Sequence, residues 1–226
     1  MKTPRTVEFH EKGVPAGDIF TRIYGAKLWG TAGGGSGIGS EPNCTQFIRP
    51  KIVSVLQRYN VQSMVDAPCG SMAWMPLVLE QVPNVTYTGM DVACNLIAEH
   101  QINFANRTNW RCEKRGLARF GGREGLPRAD LVFSRDALQH LPLSYVHSFL
   151  RNVRDSGARY LLVGSYLNET STKFLNLDIR VGEYYDINLL EKPFSLRHAL
   201  LETLDEEYIY SGFAHKSMLL LDATKL

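Results

Sequence analysis

The chain has no stretch of about eighteen apolar residues, so nothing in it reads as a membrane span. Its first residues lack the apolar core of a signal peptide, and the expectation is a soluble chain without a targeting segment. Charge of either sign is not in excess: 25 Lys and Arg face 23 Asp and Glu, for a formal net charge of +2. Scattered basic residues build no broad phosphate-binding face, which argues against nucleic acid as a partner. The four cysteines, at 44, 69, 94 and 112, form no C-x-x-C pair. No metal site is expected from them, and small buried or half-buried thiols are the plain reading. Two phosphate-binding signatures are also missing, the three-glycine dinucleotide turn and the Gly-Lys-Ser/Thr end of a P-loop.

What the chain does have is a strand–turn–helix–strand unit between Ser63 and Val92. Met64-Val65 leads into Asp66, Pro68-Cys69-Gly70-Ser71 breaks the run, and a helix is predicted from Trp74 to Gln81. Val85 to Met90 is apolar and β-prone and ends at Asp91. Such a layout is that of a nucleotide-type site, with the second-strand acid placed to accept hydrogen bonds from a ribose diol. One glycine cannot close backbone on a pyrophosphate, and Pro68 has no N–H to offer an anion. A nucleoside without phosphate fits, and S-adenosylmethionine is the common cofactor of that kind.

These residues resemble a family. Asp66-Ala67-Pro68-Cys69-Gly70 with Trp74-Met75 is similar to the first motif of class I S-adenosylmethionine-dependent methyltransferases, in a subgroup written Asp-x-Pro-Cys-Gly-Asp-x-x-Trp-Met. Asp18-Ile19-Phe20, Ile23-Tyr24, Trp29-Gly30 and Ser36-Gly37-x-Gly39-Ser40 resemble its N-terminal signature. Arg135-Asp136-x-Leu138-x-His140-Leu141, Asn188-Leu189 and Pro193-Phe194 resemble later blocks. Ser71 stands where the subgroup has Asp, and Lys114-Arg115 where an acid often meets adenine. The resemblance implies a Rossmann-like three-layer αβα sandwich. Its sheet would be mostly parallel and seven-stranded, with an antiparallel C-terminal strand. It implies one domain over residues 1–226, with 1–44 a leader or lid and 45–226 the core. The cofactor would be held by Asp66, Pro68, Cys69, Gly70, Trp74, Asp91, Val92 and Arg135. Trp29, Gly37 and Ser40 would add to it from the N-terminal part.

In chain order, residues 1–17 read as a loose leader, and Ile19, Phe20, Ile23 and Tyr24 have the spacing of a short amphipathic helix. Gly30 to Gly39 holds six glycines in ten residues, which suits either a loop folded over a ligand or a plain linker. Thr45 to Tyr59 is predicted as a helix, and its Arg49 either reaches the cofactor carboxylate or lies on the surface. A helix over Ala93–Phe104, a strand over Asn109–Lys114 and an irregular arginine-bearing loop over Arg115–Arg128 follow. Next come a buried strand over Ala129–Ser134, a helix over Leu143–Asp155 and a strand over Arg159–Ser165. Glu207–Tyr210 with Ser217–Asp222 is the expected antiparallel pair.

Methyl transfer to a hydroxyl needs a base, because an alcohol is too weak an acid to attack unaided. His140 is the expected base, with Asp136 orienting the acceptor or the imidazole if the two share a helical face. The alternative is that Arg135 and Asp136 form a structural ion pair and His140 packs. Tyr24, Trp29 and Trp74 are the aromatic candidates beside a sulfonium. The long polar stretch from Asn168 to Tyr185 is the expected acceptor wall, through Asn176, Asp178, Arg180 and Tyr184. Its short polar groups fit a carbohydrate hydroxyl. Another small metabolite, RNA, or a non-catalytic cofactor-binding module are the alternatives. Four Asn-x-Thr sequons, at Asn43, Asn84, Asn106 and Asn168, open a secretory (Golgi-lumen) reading; otherwise the chain is expected in the cytoplasm.

Overall fold

The computed structural model describes residues 15–116, 125–167, 176–207 and 216–226. Its helices are α1 (Ala16–Gly25), α2 (Ile48–Arg58), α3 (Met75–Leu79), α4 (Cys94–Asn103) and α5 (Leu143–Asp155). Its strands are β1 (Ser63–Asp66), β2 (Thr86–Asp91), β3 (Trp110–Lys114), β4 (Leu131–Ser134), β5 (Tyr160–Tyr166), β6 (Leu200–Asp205) and β7 (Lys216–Asp222). They form one seven-stranded sheet in the order β3-β2-β1-β4-β5-β7-β6. β1 to β5 run parallel, and β7 enters antiparallel between β5 and β6.

Alternation along the central strands splits the core in two. Val65, Val132, Leu161 and Leu219 face one layer, where α5 buries Val146, Phe149 and Val153. Met64, Leu131, Leu162 and Leu220 face the other, against Ile52 and Leu56 of α2 and Val78 of α3. Each such side chain removed from water stabilises the fold by about 1.5–3 kcal/mol. A mostly parallel sheet covered on both faces needs apolar runs on its inner strands, which is how Leu131–Ser134 and Tyr160–Tyr166 read.

Two expectations are corrected. The sixth strand is Leu200–Asp205, not Glu207–Tyr210; Glu207 has a left-handed backbone that ends the strand, and residues 208–210 lie outside the described residues. Asp136 is left-handed too, with φ of 55°, and residues 138–140 make only a 3-10 turn, so Asp136 and His140 share no helical face. α2 and α3 start at Ile48 and Met75, later than the expected Thr45 and Trp74, and Pro50 and Pro76 sit in their first turns, where a missing N–H costs nothing. Asn43, Asn84 and Asn106 are exposed, while Asn168, Arg119 and Arg123 fall outside the described residues. No helix among the described residues is long and apolar enough to cross a membrane.

Candidate active site

The carboxyl ends of β1, β2 and β4 open into a cavity of about 740 Å³, roofed by the N-terminal segment. β1 ends in Asp66, and the turn after it is tied to β2 by the Cys69 N–H donating to the Met90 carbonyl at 2.9 Å. Gly70 takes a left-handed φ of 54° and donates its N–H to Asp91 Oδ2 at 3.1 Å. The Ala93 N–H donates to Asp91 Oδ1 at 2.9 Å. Burial pushes the Asp91 carboxyl up, and these amide donors pull it back. Each carboxylate oxygen keeps a second lone pair, which is what a vicinal diol needs. Asp66 Oδ2 accepts from the Tyr87 hydroxyl at 2.8 Å, while its buried Oδ1 has no protein partner and its carboxyl is pushed well up by burial. That oxygen, on a cavity-lining residue, is available to accept a ligand N–H or ammonium.

The roof is latched to the turn. Tyr24 and Ser36 hydroxyls lie 2.9 Å apart, Ser36 Oγ accepts the Ser71 N–H at 3.0 Å, and Ser71 Oγ donates to the Gly33 carbonyl at 2.5 Å. A Cβ on Gly34 would sit 2.8 Å from Ser71 Cβ, so the glycine-rich segment is a close-packed strap rather than a linker. Trp29 and Ser40 line the cavity from this strap. Gly37, at φ of 87°, shapes the strap without lining the cavity.

Three expected cofactor residues are used differently. Arg49 lies off the cavity wall, with Nη2 donating to the Pro42 carbonyl at 3.3 Å. Arg135 lines the cavity, yet its guanidinium is consumed. Nε and Nη2 grip Glu206, Nη1 meets Asp136 at 3.0 Å, and Nη1 also donates to the Gly39 carbonyl at 3.0 Å. It anchors the strap to the sheet. Trp74 lines the cavity beneath the Arg135 guanidinium, 5.4 Å from its ring, and packs edge-on to Phe133. Pro68, Cys69 and Val92 also line the wall.

His140 also lines the cavity, and its Nδ1 lies 2.9 Å from the Glu183 carbonyl. A carbonyl only accepts, so Nδ1 carries the proton and Nε2 keeps a lone pair. Burial holds the imidazole below its ordinary value, so it is neutral near pH 7. Trp29 stacks on one side with ring centroids 5.0 Å apart, and Tyr184 lies 5.8 Å away. Asp136 does not orient the ring. Its Oδ2 accepts from Lys216 Nζ at 2.6 Å and meets Arg135, and those cations hold it far below the usual carboxylate range. Arg135, Asp136, Glu206 and Lys216 thus form a buried, charge-balanced quartet under the site. Glu206 and Lys216 escaped the sequence reading because they lie just past β6 and at the start of β7, distant in sequence and carrying no motif.

None of Asn176, Asp178, Arg180 and Tyr184, the expected acceptor wall, lines the cavity, whereas Tyr24, also a candidate to touch the acceptor, does. Asn176 is committed to Asn188 and Lys192, its amide donating to their carbonyls at 2.9 and 2.7 Å. Asp178 accepts from the Leu143 N–H at 3.0 Å and so caps α5. Arg180 donates its backbone N–H to Glu183, and the Tyr184 hydroxyl donates to Asp186. These side chains and amides fasten the segment that carries the Glu183 carbonyl. Residues 168–175 lie outside the described residues. Among the described residues, the cavity lining includes the apolar and aromatic Phe20, Trp29, Leu141 and Tyr145.

No protein-family profile matches the chain, and no curated protein sequence does. Solved structures do. Human N-acetylserotonin methyltransferase in complex with SAM aligns at TM-score 0.63 and 15% identity, covering 93% of this chain and 60% of that one. The mitomycin 7-O-methyltransferase MmcR aligns at 0.61 and 13%, over 96% of this chain and 60% of its own. The methyltransferase domain of bacterial CtHen1-C aligns at 0.57 and 15%, over 80% of this chain and 98% of its own. The chain has the Rossmann-like methyltransferase fold. It spans about 60% of the length of the first two neighbours. Within that fold the Gly70 turn and Asp91 occupy the carboxyl edge of the parallel strands, where open α/β sheets bind ligands.

Proposed function

We propose that this chain is an S-adenosylmethionine-dependent O-methyltransferase of small molecules, with His140 as general base. One observation carries the reading: a neutral imidazole, with Nδ1–H committed to the Glu183 carbonyl, shares a cavity with a nucleoside-shaped turn. Asp91 would hold the ribose diol, Asp66 Oδ1 the cofactor's ammonium, and the strap would close over both. The cofactor supplies an electrophilic methyl on a sulfonium. In the transfer step His140 Nε2 would take the acceptor's hydroxyl proton. The resulting imidazolium is stabilised by the Glu183 carbonyl and the Asp136 carboxylate. Alignment by the roofed cavity supplies much of the rate.

The acceptor end favours a hydroxyl on a flat, apolar body. Phe20, Trp29, Leu141 and Tyr145 offer surface for a ring, whereas a sugar buried there would bring several hydroxyls in want of partners. A phenolic hydroxyl, with an ordinary pKa of about 10, also suits a weakened imidazole better than an alcohol does. The carbohydrate expected from Asn176, Asp178, Arg180 and Tyr184 loses that support, since those side chains lie off the cavity wall. Incubation with methyl-labelled cofactor and panels of phenols, glycosides and RNA tests the acceptor. Label on phenols, abolished in His140→Asn, is the expected result. Label on none, with cofactor bound, would favour a non-catalytic binding module. Exposed Asn43, Asn84 and Asn106 keep a lumenal compartment in play, and a glycosidase-sensitive mass shift in a secreting host tests it.

A further inference from the structure

The turn that faces the nucleoside is held from behind by a residue outside the cavity wall. His100 lies one turn before the end of α4, is 4% exposed, and places Nε2 2.7 Å from the Gly70 carbonyl. The carbonyl can only accept, so Nε2 carries the proton. The Gly70 N–H is at the same time given to Asp91 Oδ2 at 3.1 Å. Gly70 is therefore pinned at both its peptide groups while it sits in a left-handed conformation. Its own close neighbours are the strap: a Cβ there would come 2.9 Å from Ser36 Oγ and 3.3 Å from the Tyr24 hydroxyl. Rotation of the peptide after Gly70 would swing the Ser71 N–H away from Ser36 and loosen the latch as well as the turn. The Phe104 ring packs beside the imidazole, with centroids 5.9 Å apart.

We propose that His100, through its bond to the Gly70 carbonyl, is a positioning residue that presets the cofactor turn and the Asp91 carboxylate for the nucleoside. It touches neither cofactor nor acceptor. The inference rests on the cofactor reading above, and it assigns to α4 a role in cofactor affinity rather than in the transfer step.

Two substitutions separate positioning from packing. His100→Met fills a similar volume without a donor, and His100→Gln restores an N–H at about the reach of Nε2. S-adenosylhomocysteine binding is measured by calorimetry, and exchange of the Gly70 and Ser71 amides by hydrogen–deuterium methods. Expected for His100→Met is an affinity about tenfold weaker, the factor that one buried carbonyl stripped of its donor is worth. Both amides exchange faster in that variant, kcat at saturating cofactor stays within about twofold, and His100→Gln recovers most of the loss. Wild-type affinity and amide protection in His100→Met would overturn the proposal, as would a glutamine variant no better than the methionine one. If the wild-type chain failed to bind S-adenosylhomocysteine, the cofactor reading itself would fall, while the amide exchange would still decide whether His100 holds the turn.

Discussion

His140 gives its Nδ1 proton to the carbonyl of Glu183 at 2.9 Å, a backbone atom from the segment after β5. The tautomer is thus set by main chain rather than by a carboxylate, and no side-chain substitution at residue 183 removes the acceptor. His140→Asn is expected to lower kcat by about 10²–10⁴-fold, the usual share of a general base. S-adenosylhomocysteine affinity, measured by calorimetry, stays near wild type. A variant that lost cofactor binding and turnover together would show that His140 serves the cofactor instead.

Burial is the largest influence on the His140 imidazole and holds it below the ordinary 6.5, against the pull of Asp136 and the Glu183 carbonyl. Lowering the value favours the neutral base, so the base form predominates at neutral pH. The acid limb of the kcat/KM profile should have its midpoint below the ordinary imidazole value of about 6.5. An acid limb with its midpoint above pH 7 would contradict a buried imidazole in this role.

Gly70→Ala places a methyl 2.9 Å from Ser36 Oγ and forces an L side chain into φ of 54°. The left-handed conformation costs about 1–2 kcal/mol, and the clash displaces the strap. The expected outcome is S-adenosylhomocysteine affinity at least about tenfold weaker, with circular dichroism unchanged. Unaltered affinity would mean that the strap and the turn move independently.

Glu206 is fully buried and accepts a two-point grip from Arg135. Removing its charge in Glu206→Gln leaves Arg135 and Lys216 sharing the single Asp136 carboxylate within this quartet. Breaking such a buried pair destabilises by about 3–5 kcal/mol, which urea titration resolves easily. A loss below about 1 kcal/mol would show the cluster to be hydrated.

The parallel half of the fold was legible because its strands are buried on both faces and its acids stand at strand ends. Asp66, Gly70 and Asp91 could be placed from that pattern alone. β6 was not, since Leu200–Asp205 is an edge strand of mixed burial and lacks an apolar run. The quartet was invisible for a related reason: Glu206 and Lys216 look like ordinary surface charges until β7 is known to enter beside β5. Polar loop composition misled in the other direction. Asn176 and Asp178 read as ligand-seeking groups, yet a loop that crosses a compact domain must first satisfy its own backbone, and that is where these side chains go.

The ion pair between Lys216 and Asp136 joins residues 80 positions apart, through the strand inserted into the sheet between two earlier ones. During synthesis the Asp136 carboxylate therefore emerges long before its cation. A nascent chain halted ahead of residue 216 holds the anion without its lysine, so the Asp136 end of the cavity can set only after the β7 segment clears the ribosome.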